Sequence, residues 1–398
     1  MNYILFDDSQ WASLLPFTHT RPAADIRCGI FTIRERWEYL LKATTSTLAR
    51  QPLQAAYPVA AAPDSILLNG RVTGQEDLVT AIRSLAAGER LMKGDTIIAA
   101  RPDGSAGLDI ENLETLHPKQ YAGEINELKI VTDIFSKADQ GVRDDFALLS
   151  QGRASAPPPE GVTVSGKDNL LIHPGARIAA GVVLNAVAGP IYIAQDAEIM
   201  EGCLIRGPFA LCEGATLKMG AKVYGGTVIG PGCKVGGEVS NAVFFANSNK
   251  GHDGFLGNAV IGEWCNLGAD TNCSNLKNNY DEVKIWDEAQ MKSVKTGLTF
   301  CGLLMGDHSK CGINTMFNTG TVVGVSCNIW GGGFPEKFVP SFSWGGPDGM
   351  TTYSFGRAAE TANRMMARRN KSLSAAESDV LQNVFDKTKA QRDLLHSS

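Results

Sequence analysis

The sequence predicts an α/β domain, then a left-handed parallel β-helix, then a helical tail. Three observations predict it. Aliphatic residues recur in steps of six through the second half of the chain. Glycine, with 43 residues, is concentrated after residue 160. Residues 1–125 instead alternate short apolar runs with amphipathic stretches.

The repeat is the strongest signal. Ile193, Ile199, Ile205, Leu211, Leu217, Val223, Ile229 and Val235 stand six apart without a break. Ile172, Ile178 and Leu184 keep the same step upstream in another register. Phe255, Ile261, Leu267 and Cys273 form a further run, and Met305, Cys311, Phe317, Val323 and Ile329 the last. A period of six fits neither a 3.6-residue helix nor an alternating strand. It fits a triangular coil with three six-residue sides, whose apolar residue points inward. The small residue that often follows helps turn the corner, since Gly carries no Cβ penalty there. Successive coils then stack as parallel strands about 4.8 Å apart.

The step fails between Val235 and Phe255 and again between Cys273 and Met305. Insertions in a solenoid become protruding loops, usually on its working face. Both breaks are therefore expected to be loops, the first carrying His252.

In residues 1–125, Tyr3–Phe6, Ile66–Leu68 and Thr96–Ala100 read as strands, and Glu76–Ala86 as a helix. Thr32 and Glu35 form a capping box opening a helix with Ile33, Trp37, Leu40 and Leu41 on one side. Residues 126–160 read as a helical connection ending in the stiff Pro157-Pro158-Pro159 boundary. The β-helix is expected over 161–348 and the tail over 349–398, where Ser374 and Glu377 cap a final helix.

The formal net charge is −5, so no basic face for nucleic acid is implied. No segment approaches the ~18 apolar residues of a membrane span, and the N-terminus lacks a signal-peptide pattern. A cytoplasmic protein is expected. The nine cysteines form no CxxC pair, so neither a metal site nor a redox motif is predicted. Free buried thiols behave as small apolar residues, which suits a tight interior.

From His252 to Asn314 the sequence becomes specific: His252-Asp253-Gly254-Phe255-Leu256-Gly257, then Cys265-Asn266-Leu267-Gly268-Ala269, then Ser274-Asn275-Leu276-Lys277, Val283-Lys284-Ile285 and Met305-Gly306-Asp307. This resembles the acetyltransferase half of bifunctional sugar-1-phosphate nucleotidyltransferase/glucosamine-1-phosphate acetyltransferases. The resemblance implies a homotrimer with active sites between neighbouring β-helices. It implies acetyl-coenzyme A as donor and a sugar phosphate or nucleotide sugar as acceptor. It makes His252 the general base, with Phe255, Asn266, Ala269, Asn275 and Lys284 lining the substrate and the coenzyme. The chemistry suits these types: an attacking amine must lose a proton, and His titrates in the range to take it. Plainer readings stand beside these: Asn266 and Asn275 as corner residues, Lys284 as a solvated charge. Two positions depart from the family pattern. Phe255 stands where the family usually has Tyr, and Asp281 where it has a base. The other histidines, His19, His117, His173, His308 and His396, read as surface or structural.

Residues 1–125 more loosely resemble the start of a sugar nucleotidyltransferase, a Rossmann-like α/β domain. The glycine-rich loop such domains carry after strand one is missing, since the first glycine of the chain is Gly29. Leu68-Asn69-Gly70-Arg71 puts Arg71 where a magnesium-binding Asp is expected. Arg21, Arg27 and Arg71 are the candidates for binding phosphate directly, or else arginines that hold the fold. If this domain uses Mg, Asp7 and Asp8 are the carboxylates at the strand end that would meet it.

Overall fold

The computed structural model describes residues 1–103 and 108–396. Two compact units divide the chain, one of residues 1–26 and 31–131, the other of residues 27–30 and 132–398. No helix among the described residues is long and apolar enough to cross a membrane.

The first unit is built on a six-stranded mixed sheet. Its order is Thr45–Leu48, Asn2–Phe6, Ser65–Asn69, Thr96–Arg101, Glu89–Lys93, His117–Gln120. Asn2–Phe6 lies parallel to both its neighbours, and Ser65–Asn69 runs antiparallel to Thr96–Arg101. The helix Ile33–Leu41 opens with the reciprocal Thr32/Glu35 capping box and buries Trp37, whose indole N–H donates to the Val72 carbonyl. The helix Glu76–Arg83 is one turn shorter than its pattern suggested.

The second unit begins with the helices Asp133–Ser136 and Ala138–Ser150 and continues as a β-helix of three parallel faces. One face stacks Leu170–Ile172, Ile191–Ile193, Phe209–Leu211 and Thr227–Ile229, and continues to Phe338–Val339. The second stacks Thr163–Ser165, Val183–Asn185, Leu204–Arg206 and Lys222–Val223. The third stacks Arg177–Ile178, Glu198–Ile199, Thr216–Leu217, Lys234–Val235, Asn249–Lys250, Asn266–Leu267, Lys310–Cys311 and Asn328–Ile329. The six-residue columns are the core: Ile193 through Val235, and Met305 through Ile329, are all buried in one cluster. The helices Phe355–Ala367, Ala375–Lys387 and Lys389–His396 follow, and Leu381 and Val384 pack on Val325 and Phe342.

The two breaks in the period have different origins. The segment around His252 is not a protruding loop: Asn249–Lys250 is an ordinary rung of the third face. The step fails there because corners are shortened. Inward residues run Val235, Val239, Phe244, Lys250, Leu256, Ile261 and Leu267. The strands Glu238–Phe244 and Phe255–Ile261 each span two faces, bent at Asn241 (φ 47°) and Asn258 (φ 48°). Asn tolerates this left-handed backbone, so one residue makes the corner. As a consequence Leu256, not Phe255, fills the column, and Phe255 points outward. The second break is a true excursion. It carries the antiparallel hairpin Lys284–Asp287/Lys292–Lys295, outside the stacked faces.

Candidate active site

His252 sits at the corner between the third and second faces, and its side chain is exposed. The main chain beneath it is tightly held. Gly254 has φ 111°, and a Cβ there would lie 2.2 Å from the Thr271 carbonyl oxygen of the next coil. Gly237 has φ 73°, and a Cβ there would lie 2.9 Å from the His252 carbonyl oxygen. Only glycine permits so close an approach of two coils.

Two expected site residues, Phe255 and Asn275, meet one strand further on. A Cβ on Gly257 would lie 2.6 Å from both the Phe255 ring and the Asn275 amide nitrogen, so these two side chains meet over Gly257. Asn275 Nδ2 donates to Asn258 Oδ1 at 2.8 Å, which fixes the amide. The Phe255 N–H donates to Asn272 Oδ1 at 2.8 Å. The third face carries the remaining part. Asn266 is exposed and stacks on Asn249, and Ala269 occupies the corner one coil above His252. The Ala269 carbonyl accepts from the Asn314 N–H at 2.9 Å. Lys284 is elsewhere, on the hairpin. It lines a shallow pocket with Trp286, Ser293, Glu336, Lys337 and Phe338. Trp286 stacks on Phe338 with centroids 5.1 Å apart. Burial and the neighbouring Lys277 push the Lys337 ammonium below its usual range.

Sequence reasoning missed Lys250, which is 1% exposed. Its Nζ donates to the carbonyls of Gly236 at 3.0 Å and His252 at 2.9 Å. Desolvation brings this ammonium down to about 8, against the pull of Asp253 and Asp270. The signal existed in the sequence: stepping back six from Leu256, rather than from Phe255, lands on Lys250.

Of the other histidines, His308 is buried and His117 lies on an exposed strand; the side chain of His396 lies outside the described residues.

In the first unit Arg71 is 3% exposed and faces protein acceptors. Its Nε and Nη2 grip Asp8 at 2.8 and 2.5 Å, Nη2 also lies 2.9 Å from Glu127 Oε1, and Nη1 donates to the Leu128 carbonyl at 2.8 Å. The expectation that Arg71 contacts phosphate directly thus meets a guanidinium whose bonds go to the fold. Asp7 is buried too. Its Oδ1 accepts the Ala23 N–H at 2.8 Å and its Oδ2 pairs with Arg50 at 2.7 Å. Burial raises the Asp7 carboxyl despite Arg50. Asp8 is also desolvated, but Arg71 and Asn69 outweigh that and hold it below the usual carboxylate range. Two guanidinium groups therefore stand against the carboxylates that a magnesium ion would need. Among the described residues no group of three or more His, Cys, Asp or Glu side chains is placed to hold a metal. The donor set does not fit Mg. Arg21 is buried in the first unit, whereas Arg27 belongs to the second, where its Nη1 donates to the Ile30 carbonyl. The three arginines do not share one unit.

Residues 3–154 match the family model for sugar nucleotidyl transferases. Over 167 residues the chain is 25% identical to the putative uncharacterized acetyltransferase YaiX of Escherichia coli, covering 42% of this chain and 72% of that protein. Over 155 residues it is 30% identical to a bifunctional sugar-1-phosphate nucleotidylyltransferase/acetyltransferase of Sulfurisphaera tokodaii. That match covers 38% of each protein, so this chain spans well under half the length of the bifunctional relative. The relatives are transferases, at distant identity. Among solved structures, a UDP-N-acetylglucosamine acyltransferase of Bacteroides fragilis aligns with 16% identity over 60% of this chain and 94% of that one, with a TM-score of 0.22.

Proposed function

We propose that the β-helix transfers an acetyl or other acyl group from acyl-coenzyme A to an amino sugar phosphate or nucleotide sugar, with His252 as general base. The observation that carries this reading is the corner itself. An exposed His252 stands on backbone locked by Gly237 and Gly254, and three residues further on the outward ring of Phe255 meets an oriented Asn275 amide over Gly257. His252 takes the proton from the attacking nitrogen as it adds to the thioester carbonyl, and the thiolate of the coenzyme leaves. Main-chain N–H groups at the coil corners are the available donors for the developing oxyanion. Asn266, Ala269 and Asn275 line the sugar and the pantetheine arm, Phe255 gives an apolar wall without a hydroxyl, and Lys284 meets an anionic end of a ligand. Active sites between neighbouring chains of a trimer belong to the same proposal; a monodisperse monomer in light scattering speaks against that part.

The test is thiol release from acetyl-coenzyme A with glucosamine-1-phosphate, wild type beside His252→Ala. Loss of roughly 10²–10⁴-fold in kcat supports the base. Undiminished turnover in the variant sinks it.

A second reading is favoured by the match of residues 3–154: sugar-1-phosphate nucleotidyl transfer by the first domain. Pyrophosphate release from a nucleoside triphosphate with a sugar-1-phosphate is its mark. The ion pairs on Asp7 and Asp8 count against a metal-dependent version and favour a domain that binds sugar phosphates or nucleotide sugars without turning them over. Arg21 remains the proposed phosphate contact of this domain; Arg27 lies in the other unit.

A further inference from the structure

Lys250 stands in a column that is otherwise apolar. Its register partner on the preceding rung is Val235. Leu267 is the inward residue on the next rung, followed by Cys311 and Ile329. At 1% exposure its ammonium lies inside the prism. Burying a charge there is costly unless its donors are met. Two of its three N–H donors are met by main-chain carbonyls, those of Gly236 and His252. A column that needed only packing is filled at lower cost by Val or Leu. What Lys250 adds is a fixed hydrogen bond to the residue that carries the exposed imidazole.

We propose that Lys250 is a positioning residue for His252, gripping its main-chain carbonyl from inside the β-helix so that the imidazole is presented in one orientation. The inference rests on the reading of His252 as the general base. The geometry around the turn supports it. Gly237 abuts the His252 carbonyl and Asp253 from one side, and Gly254 abuts Thr271 of the next coil from the other. The turn is thus held on both flanks by close backbone and from beneath by the ammonium. A base held this way loses little orientational freedom before it accepts a proton, and misplacement by about 1 Å costs on the order of 10²-fold in rate.

Lys250→Met, of similar length and without charge, tests this in the full-length protein. The expected result is a fold kept to within about 5 °C in Tm. In the acetyl-coenzyme A assay kcat falls roughly 10- to 100-fold while KM for both substrates changes by less than about twofold. Amide hydrogens over residues 251–255 exchange faster than in the wild type. A folded variant with unchanged kcat, or with raised KM and unchanged kcat, overturns the proposal. If the wild type transfers no acyl group, the base assignment fails on its own, and the exchange experiment then decides: unchanged protection of 251–255 in Lys250→Met overturns the positioning role. Should the Met variant not fold, Lys250→Gln replaces it, and wild-type kcat together with wild-type exchange there overturns the proposal equally.

Discussion

Arg71 holds Asp8 through two parallel hydrogen bonds, Nε to Oδ1 at 2.8 Å and Nη2 to Oδ2 at 2.5 Å. Glu127 stands on the same Nη2 at 2.9 Å. Removing one member of a buried ion network leaves the others uncompensated, at about 3–5 kcal/mol. Arg71→Met is therefore expected to destabilise the first unit by about that amount in urea unfolding. The acid side of the stability curve changes as well. The folded Asp8 carboxyl lies below its unfolded value of about 3.9. Its contribution is fully present above that value and is lost as pH falls through the lower folded value. In Arg71→Met this acid-dependent loss is expected to shrink. An unfolding curve with the same acid slope as the wild type contradicts the pairing.

Gly254→Ala is expected to destabilise the β-helix by about 2–4 kcal/mol. A Cβ there lies 2.2 Å from a carbonyl oxygen at φ 111°, so both strain and overlap are introduced. The partner is backbone, which cannot swing away. Calorimetry on the variant checks this, and a change under about 0.5 kcal/mol, the size of an ordinary surface substitution, contradicts it.

Lys250 gives a pH dependence of opposite kind. Its folded pKa is about 8 against 10.5 in the unfolded chain, with desolvation the main cause. The unfolded state binds more protons between these values, so this residue costs stability below about 8. The cost is relieved as pH rises toward 10.5. Other groups titrate in the same range, so the informative quantity is the difference between variant and wild type. The stability of Lys250→Met relative to the wild type is expected to fall between pH 8 and 10. A difference that stays flat across that window shows that the ammonium is not desolvated.

All nine cysteines are free and buried. Burial pushes the thiols of Cys233, Cys301 and Cys327 up to about 12, far from the thiolate form that reacts. Native protein is expected to give almost no reaction with Ellman's reagent, and all nine thiols after denaturation. Rapid titration of even one thiol in the native state contradicts this burial.

Much of the architecture was legible in the sequence because an inward column writes itself as a period. The run from Ile193 to Val235 is buried as that period required, and both capping boxes formed because their partners lie within one turn. Three strands of the first sheet, Asn2–Phe6, Ser65–Asn69 and Thr96–Arg101, announced themselves as short apolar runs, whereas the more polar Thr45–Leu48, Glu89–Lys93 and His117–Gln120 did not. Two things were settled only by the tertiary structure. The corners at Asn241 and Asn258 are shortened, which moved Leu256 and Lys250 inward, turned Phe255 out and made the expected His252 loop a regular rung. A corner length depends on how one coil rests on the next, and no local pattern records it. The partners of Arg71, Asp8 and Glu127, lie more than fifty residues away in the chain, so its ion pairs with the fold appear only when the strands are brought together. Periodic burial is a short-range property of the chain; the pairing of buried charges is a long-range one.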